Sequence, residues 1–237
     1  MRLENVIPWG RSLQEYREMF ALTDEDLKKK ILGCADGPAS FNADLTRLGG
    51  QITSVDPLYR FSAEQIRQRI GAVYPVVMDQ MAENADKYIW TTITSIPDLG
   101  KKRMKAMHAF IDDFATETQA KRYIDASLPV LPFQDRDFQL ALCSHYLFLY
   151  SEQVPLDHHQ QAIEELCRVA DEVRIYPLLT LSGEPSPYLT PVIEELEKKA
   201  MTARIVPVSY QFQKGATEML LVQHLPTACA EGKHEAH

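Results

Sequence analysis

The sequence is poor in cysteine, and its cysteines lack the spacing of a metal site or a disulfide framework. No C-x-x-C pair occurs, and most of the cysteines fall in apolar segments, where cysteine behaves as a small hydrophobic residue. The four are Cys34, Cys143, Cys167 and Cys229. We expect reduced thiols. The pair His158 and His159 points to two sides of a predicted helix without a third ligand, so we predict no metal ion.

Long apolar runs and an excess of positive charge are also missing. The longest apolar candidate, residues 138–150, is interrupted by Ser144 and His145 and is shorter than the ~18 residues that a spanning helix needs. The first residues lack the apolar core of a signal peptide. Acidic residues outnumber basic ones by 33 to 25, which offers no general attraction for a phosphate backbone. We expect a cytoplasmic protein that binds neither membranes nor nucleic acid.

One cluster of basic residues stands out against this acidic background. It comprises Lys101, Lys102, Arg103 and Lys105. On a helix these side chains spread around the surface, so we interpret the cluster as a solvated face rather than an anion site.

Strand-like and helix-like apolar patterns alternate along most of the chain. The predicted strands are residues 30–34, 51–55, 123–125, 138–144, 172–179, 203–210 and 217–224. The last two are joined by a short link containing Gly215, which suits antiparallel pairing. The pattern predicts an α/β fold that is Rossmann-like and doubly wound, with a mainly parallel seven-stranded sheet, a C-terminal antiparallel strand pair and a helical insertion.

We expect a single domain over residues 1–237. Residues 1–28 would form an N-terminal helical lid segment, residues 62–120 a helical region that includes the insertion, and residues 226–237 a flexible tail. Pro75 predicts two helices or a kinked one before residue 85. Residues 88–92 are rich in strand-forming residues.

The unusual residues of the sequence lie where the first two strands end. Gly33 and Gly37 flank the turn between the first strand and the next helix, and Asp56 follows the second strand about 20 residues later. Backbone at such a turn approaches an anionic group closely, and the acid is placed to accept hydrogen bonds from ribose hydroxyls. The nicotinamide fingerprint would need glycine at Ala35 and Pro38, so a nicotinamide-dependent oxidoreductase is the weakest alternative.

The segments LGCADGPAS and SVDP resemble the class I S-adenosylmethionine-dependent methyltransferases. Two later segments extend the resemblance: Asp125-Ala126 followed by LPFQD, and the strand end Cys143-Ser144-His145-Tyr146. The terminal antiparallel strand pair is also typical of that family. The resemblance covers residues 29–224, roughly, apart from the insertion.

This resemblance implies S-adenosyl-L-methionine as the cofactor. The implied cofactor contacts are Gly33, Cys34, Ala35, Asp36, Gly37, Asp56, Pro57, Asp125, Ala126 and Ser144, with Tyr16 and Arg11 covering the cofactor from the N-terminal segment. Ile31 stands where the family often carries an acid, so Asp36 would meet the ammonium group instead. Tyr16 could alternatively be ordinary packing, and Tyr59 could either stack on adenine or cap a turn.

The sequence therefore predicts a methyltransferase that acts on an O, N or S nucleophile of a small molecule. His145 is the candidate general base because the pKa of histidine lies near neutrality; a purely structural hydrogen-bonding role is left open. Ser-His-Tyr-Leu after the fourth strand differs from the Asn-Pro-Pro-Tyr signature of enzymes that methylate bases, which disfavours a DNA substrate. The alternative is a non-catalytic module that binds S-adenosylmethionine or S-adenosylhomocysteine. The oligomeric state is left open.

Overall fold

The computed structural model describes residues 8–116 and 122–225. The predicted tail at 226–237 and the first seven residues of the predicted lid segment lie outside the described residues. The strands are β1 (Lys30–Cys34), β2 (Gln51–Val55), β3 (Tyr123–Ile124), β4 (Phe138–Ser144), β5 (Ala170–Tyr176), β6 (Met201–Pro207) and β7 (Glu218–His224). The helices are α1 (Leu13–Met19), α2 (Phe41–Arg47), α3 (Ala63–Glu83), α4 (Ile96–Thr116), α5 (Leu156–Val169) and α6 (Leu189–Lys198).

The strands form one seven-stranded sheet in the order β3-β2-β1-β4-β5-β7-β6. Strands β2, β1, β4 and β5 are parallel neighbours, and β7 pairs antiparallel with both β5 and β6. The predicted Rossmann-like fold with a terminal antiparallel pair is confirmed. Because the parallel strands run the same way, Val55, Cys34, Ser144 and Tyr176 end at one edge of the sheet, where ligands bind in such folds.

The two faces of the sheet carry separate apolar layers. Ile31 and Leu142 pack in the same cluster as residues of α1 and α2. Leu32 and Ala141 point to the other face and pack in the cluster that contains the buried residues of α5 and α6. Alternate residues of a strand face opposite ways, so strands buried on both faces are apolar throughout. Within the described ranges, no helix is long and apolar enough to cross a membrane.

Helices α3 and α4 form the insertion between β2 and β3. α3 begins at Ser62, which forms a reciprocal capping box with Gln65. It continues as one helix through Pro75, where the sequence predicts two helices or a kink. Pro75 is exposed, and the buried side of the helix lies on other positions.

Two of the predicted strands are displaced by two or three residues, and one segment rich in strand-forming residues forms no strand. The fifth strand ends at Tyr176, before Pro177, and the sixth runs over Met201–Pro207 rather than 203–210. Residues 88–92 form no strand; Tyr88 makes an isolated bridge to Gln213, and its ring stacks on Phe212 with 4.8 Å between centroids. The aromatic residues that raise strand propensity there are used for packing instead.

The predicted solvated face of α4 is wrong at one residue. Lys101, Lys102 and Lys105 are exposed, but Arg103 is fully buried. It follows Leu99 by four residues and precedes Phe110 by seven, the spacing of the buried stripe of a helix. That spacing is the signal that distinguishes Arg103 from its lysine neighbours.

Buried Arg103 is held by Glu15 of α1 and by Tyr210 of the β6–β7 connection. Its Nη1 donates to both carboxylate oxygens of Glu15 at 2.6 and 2.7 Å, and Nη2 donates to the Tyr210 hydroxyl at 3.3 Å. Burial alone would raise the pKa of the Glu15 carboxyl, but Arg103 outweighs it and the pKa is lowered to about 2. The cluster of Glu15, Arg103 and Tyr210 therefore joins three segments that are far apart in sequence.

Replacing Glu15 with Gln should leave a buried arginine charge without its carboxylate. We expect a loss of about 3–5 kcal/mol in the free energy of unfolding, measured by urea denaturation. The matched control Glu18→Gln, at a partly exposed position of α1 whose carboxylate accepts from Gln14, should change it by less than about 0.5 kcal/mol. Adding Arg103→Met to Glu15→Gln should recover part of the loss. A Glu15→Gln protein as stable as the unmodified protein would contradict this role.

Candidate active site

The loop after β1 folds back on its own strand. Ala35 and Gly37 both adopt left-handed backbone conformations, with φ values of 57° and 54°. A Cβ atom at Gly33 would lie 1.9 Å from Oδ2 of Asp36, so the carboxylate of Asp36 occupies the space that a side chain at position 33 would need. Glycine is required at Gly33 by this close approach.

Asp36 lies buried beneath the loop with two hydroxyl partners. The Tyr16 hydroxyl donates to Oδ1 at 2.8 Å, and the Ser54 hydroxyl donates to Oδ2 at 2.6 Å. Burial raises the pKa of the Asp36 carboxyl to about 6, although both hydrogen bonds oppose the rise. Asp36 thereby ties α1 and β2 to the loop. It also lines the cavity, and its contact with an ammonium group stays a prediction.

Asp56 connects the end of β2 to the same loop. Its Oδ2 accepts from the backbone N–H of Gly37 at 2.9 Å, and its Oδ1 accepts from the N–H of Leu58 at 2.8 Å. Burial raises the pKa of this carboxyl too. A carboxylate offers about four lone-pair sites, so acceptor capacity remains for hydroxyl groups of a ligand.

Two residues near the end of β3 differ in their access to the cavity. Ala126 forms part of the wall, whereas Asp125 is exposed and pairs with Arg60 at 3.3 Å. Tyr59 is buried among Phe110, Phe114 and Tyr123, and its hydroxyl donates to the carbonyl of Gly37. The structure therefore packs the ring of Tyr59 among other aromatic residues and joins its hydroxyl to the glycine loop.

His145 follows β4 and has a left-handed backbone conformation, with φ of 52°. Its Nδ1 lies 3.0 Å from the Ser144 hydroxyl, and its backbone N–H donates to the carbonyl of Tyr176. The pKa of His145 is lowered well below its ordinary value by burial and by the charges of Arg11 and Arg103. The expectation of a pKa near neutrality is wrong, and the imidazole is uncharged at neutral pH.

A cavity of about 1090 Å³ runs along the carboxyl edge of the sheet. It extends from Asp56 and Ala126 to His145, Tyr176 and Tyr210. Pockets for one small molecule have volumes of about 300–1,000 Å³, so this cavity has room for more than one ligand.

Most of the sequence-predicted residues line this one cavity. They are Arg11, Tyr16, Cys34, Ala35, Asp36, Gly37, Asp56, Pro57, Ala126, Ser144 and His145. Gly33 lies beneath the loop, and Asp125 faces solvent. Sequence reasoning missed several wall residues: Tyr88, Arg103, Tyr150, Tyr176, Tyr210 and Phe212. For Tyr176, its place at the end of β5 was an available signal.

The fold defines the class: a Rossmann-like, doubly wound α/β protein that ends in an antiparallel strand pair. Within it, the chain belongs to the same family as the uncharacterised protein MJ0045 of Methanocaldococcus jannaschii. The two are 31% identical over 228 residues, which cover 94% of this chain and 98% of that protein. No model of a known protein family matches the sequence.

Solved structures with a similar fold are remote in sequence. Magnesium protoporphyrin IX methyltransferase from Synechocystis, with bound S-adenosylhomocysteine, is 11% identical with a TM-score of 0.48, over 85% of this chain and 77% of that one. An S-adenosylmethionine-dependent methyltransferase from Aquifex aeolicus is 13% identical with a TM-score of 0.43, over 88% and 90%. At these values the likeness concerns the fold alone and transfers no activity.

The raised pKa of Asp36 makes stability depend on pH. Between pH 3.8 and about 6 the unfolded carboxyl ionises while the folded one holds its proton, so stability falls as pH rises through this window. Asp36→Asn removes this effect. The free energy of unfolding of Asp36→Asn relative to that of the unmodified protein should therefore increase between pH 4 and pH 7, by about 3 kcal/mol or less. Urea unfolding at several pH values measures it. A constant difference across this range would contradict the assignment; Asp112→Asn on the exposed face of α4 is the control.

Proposed function

We propose that the protein is an S-adenosyl-L-methionine-dependent methyltransferase that acts on an O, N or S nucleophile of a small molecule. The observation that carries the proposal is the continuity of one cavity. It joins the glycine loop and Asp56 at one end to His145 and the tyrosines at the other. Such a cavity holds a nucleoside cofactor and an acceptor side by side.

The residues of the loop suit this cofactor in shape and charge. A Cβ at Gly37 would meet nothing closer than Asp56 Oδ2 at 4.0 Å, so the missing side chain leaves open space. Asp56 would accept hydrogen bonds from the ribose hydroxyls, with Pro57 and Ala126 beside the nucleoside. Asp36 provides a second carboxylate for a ligand that carries an ammonium and a sulfonium, and Cys34, Ala35 and Ser144 complete this part of the wall.

When bound, the cofactor supplies a methyl group on a sulfonium, which is open to in-line attack. The chain aligns the acceptor and excludes water, and few catalytic side chains are needed. His145 would take a proton from the acceptor. When its Nδ1–H donates to Ser144, the uncharged imidazole has Nε2 free to accept that proton.

A second candidate function is a non-catalytic module that binds S-adenosylmethionine or its demethylated product. Ile31 is fully buried where the family often carries an acid, and the protein itself supplies two donors to each of Asp36 and Asp56. Equal affinity for the two cofactor forms, with no turnover of a broad panel of nucleophiles, would favour this function over methyl transfer.

Asp56→Ala should weaken binding of S-adenosylmethionine by at least about tenfold, because hydrogen bonds to a charged group are lost. Calorimetric titration measures the effect. Asp56→Asn keeps an acceptor for one backbone N–H, so its affinity for S-adenosylmethionine should lie between those of Asp56→Ala and the unmodified protein. Asp79→Ala, on the exposed side of α3, removes an equal charge and should bind like the unmodified protein. A folded Asp56→Ala protein with unchanged affinity would remove the ribose assignment.

A further inference from the structure

We propose that the methyl acceptor carries a carboxylate, which the guanidinium of Arg11 binds at the His145 end of the cavity. The inference rests on the proposed function and specifies the chemical class of its substrate. It is argued from an arginine that lacks a carboxylate of its own, from the groups around it and from the aromatic walls beside it.

Arg11 is a partly buried cation of the cavity wall with few hydrogen-bond partners. Its Nη1 donates to the carbonyl of Trp9 at 3.3 Å, and its Nε is buried without a partner within the described ranges. A guanidinium has five N–H donors in a planar fork that matches a carboxylate. Burial and the neighbouring charge of Arg103 lower the pKa of Arg11, and they outweigh the opposing effect of Glu15.

The nearby carboxylate is already committed to another arginine. Both oxygens of Glu15 accept from Arg103, and they also accept from Ser12 and from the Tyr210 hydroxyl. Arg11 and Arg103 together bring two positive charges against the one negative charge of Glu15. A ligand carboxylate would balance the remaining charge, and Arg103 lines the same cavity with a buried Nε that has no partner within residues 8–116 and 122–225.

The charge of Arg11 acts at the acceptor end of the cavity. It lowers the pKa of His145 after β4, and it opposes the burial-driven rise in the pKa of Tyr176 on β5 and of Tyr88. Arg11 also opposes the burial-driven rise in the pKa of Tyr16, whose hydroxyl donates to Asp36 of the glycine loop. The packing favours the acceptor end, because Trp9, whose carbonyl accepts from Arg11, lies in one apolar cluster with Tyr88 and Phe212. A carboxylate bound there would hold its own molecule beside the imidazole that accepts the proton.

The walls around this position suit a flat molecule. The rings of Tyr88 and Phe212 stack, and those of Tyr176 and Tyr210 meet edge to face with 6.0 Å between centroids. All four residues line the cavity. Aromatic surfaces of this kind pack against planar apolar groups, so an aromatic carboxylic acid fits both the charge and the walls.

The sequence predicts that Arg11 covers the cofactor, which has a carboxylate of its own, so the test must separate that contact from the proposed contact with the acceptor. The first measurement compares Arg11→Met with the unmodified protein in binding S-adenosylhomocysteine and 5′-methylthioadenosine, which lacks the amino-acid part. We expect Arg11→Met to change neither affinity by more than about threefold, within the range of small surface changes. A loss confined to S-adenosylhomocysteine would overturn the proposal and assign Arg11 to the cofactor.

The second measurement titrates the S-adenosylhomocysteine complex with a panel of hydroxybenzoates and their matched neutral amides. The carboxylates should bind the unmodified protein more tightly, and Arg11→Met should abolish that preference, a change of about tenfold to hundredfold. Arg11→Lys should retain part of it, because the charge remains without the planar fork. Arg67→Met, which removes an exposed charge from α3, is the control and should keep the full preference.

Each outcome of this titration bears on one conclusion. Carboxylates that bind no better than amides, that do not bind at all, or that keep their preference in Arg11→Met would overturn the assignment of Arg11. A protein that binds neither S-adenosylmethionine nor S-adenosylhomocysteine would instead contradict the proposed function. Thermal melts of each variant establish that it is folded before its affinity is compared.

Discussion

The buried ion pair of Arg103 and Glu15 is the interaction that holds α4 and the β6–β7 connection against α1. A guanidinium with no exposure to solvent is tolerated only with a carboxylate partner of good geometry. That requirement fixes the insertion helix α4 against α1, and Tyr210 adds the C-terminal connection to the same cluster. These three segments, with Glu15, Arg103 and Tyr210, form what we call the roof of the cavity. A polar contact between segments that are far apart in the sequence therefore holds the roof together.

The floor of the cavity is the glycine loop after β1 together with Asp36 and Asp56. The two carboxylates hold this loop in place. Asp36 collects hydroxyl donors from α1 and β2, and Asp56 collects the backbone N–H of Gly37. Asp36 is buried and Asp56 is partly buried, and burial raises the pKa of each. A cationic ligand would relieve that unfavourable burial. The floor therefore carries two acidic groups, whereas Arg11 and Arg103 bring positive charge to another part of the cavity wall.

Local signals in the sequence were sufficient for the fold and for the floor. Strand-length apolar runs predicted the sheet, and Gly33, Gly37 and Asp56 stood out because they lie at or just beyond the end of a strand. The roof was not predictable in this way, since the partner of Arg103 lies 88 residues earlier in the chain. The low pKa of His145 likewise depends on burial and on charges that only the folded chain brings near it. The composition of residues 88–92 does not decide their structure, because aromatic residues favour strands and packing alike.

The direction of β6 has a consequence for the order in which the cavity is assembled during synthesis on the ribosome. β6 pairs antiparallel with β7, which pairs antiparallel with β5, so β6 runs parallel to β5 and its end reaches the edge of the sheet where the cavity lies. Tyr210 and Phe212 arrive there only with the last part of the chain. A nascent chain that has emerged as far as β5 has the glycine loop and both carboxylates, but the cavity wall is closed only when the β6–β7 connection has been made.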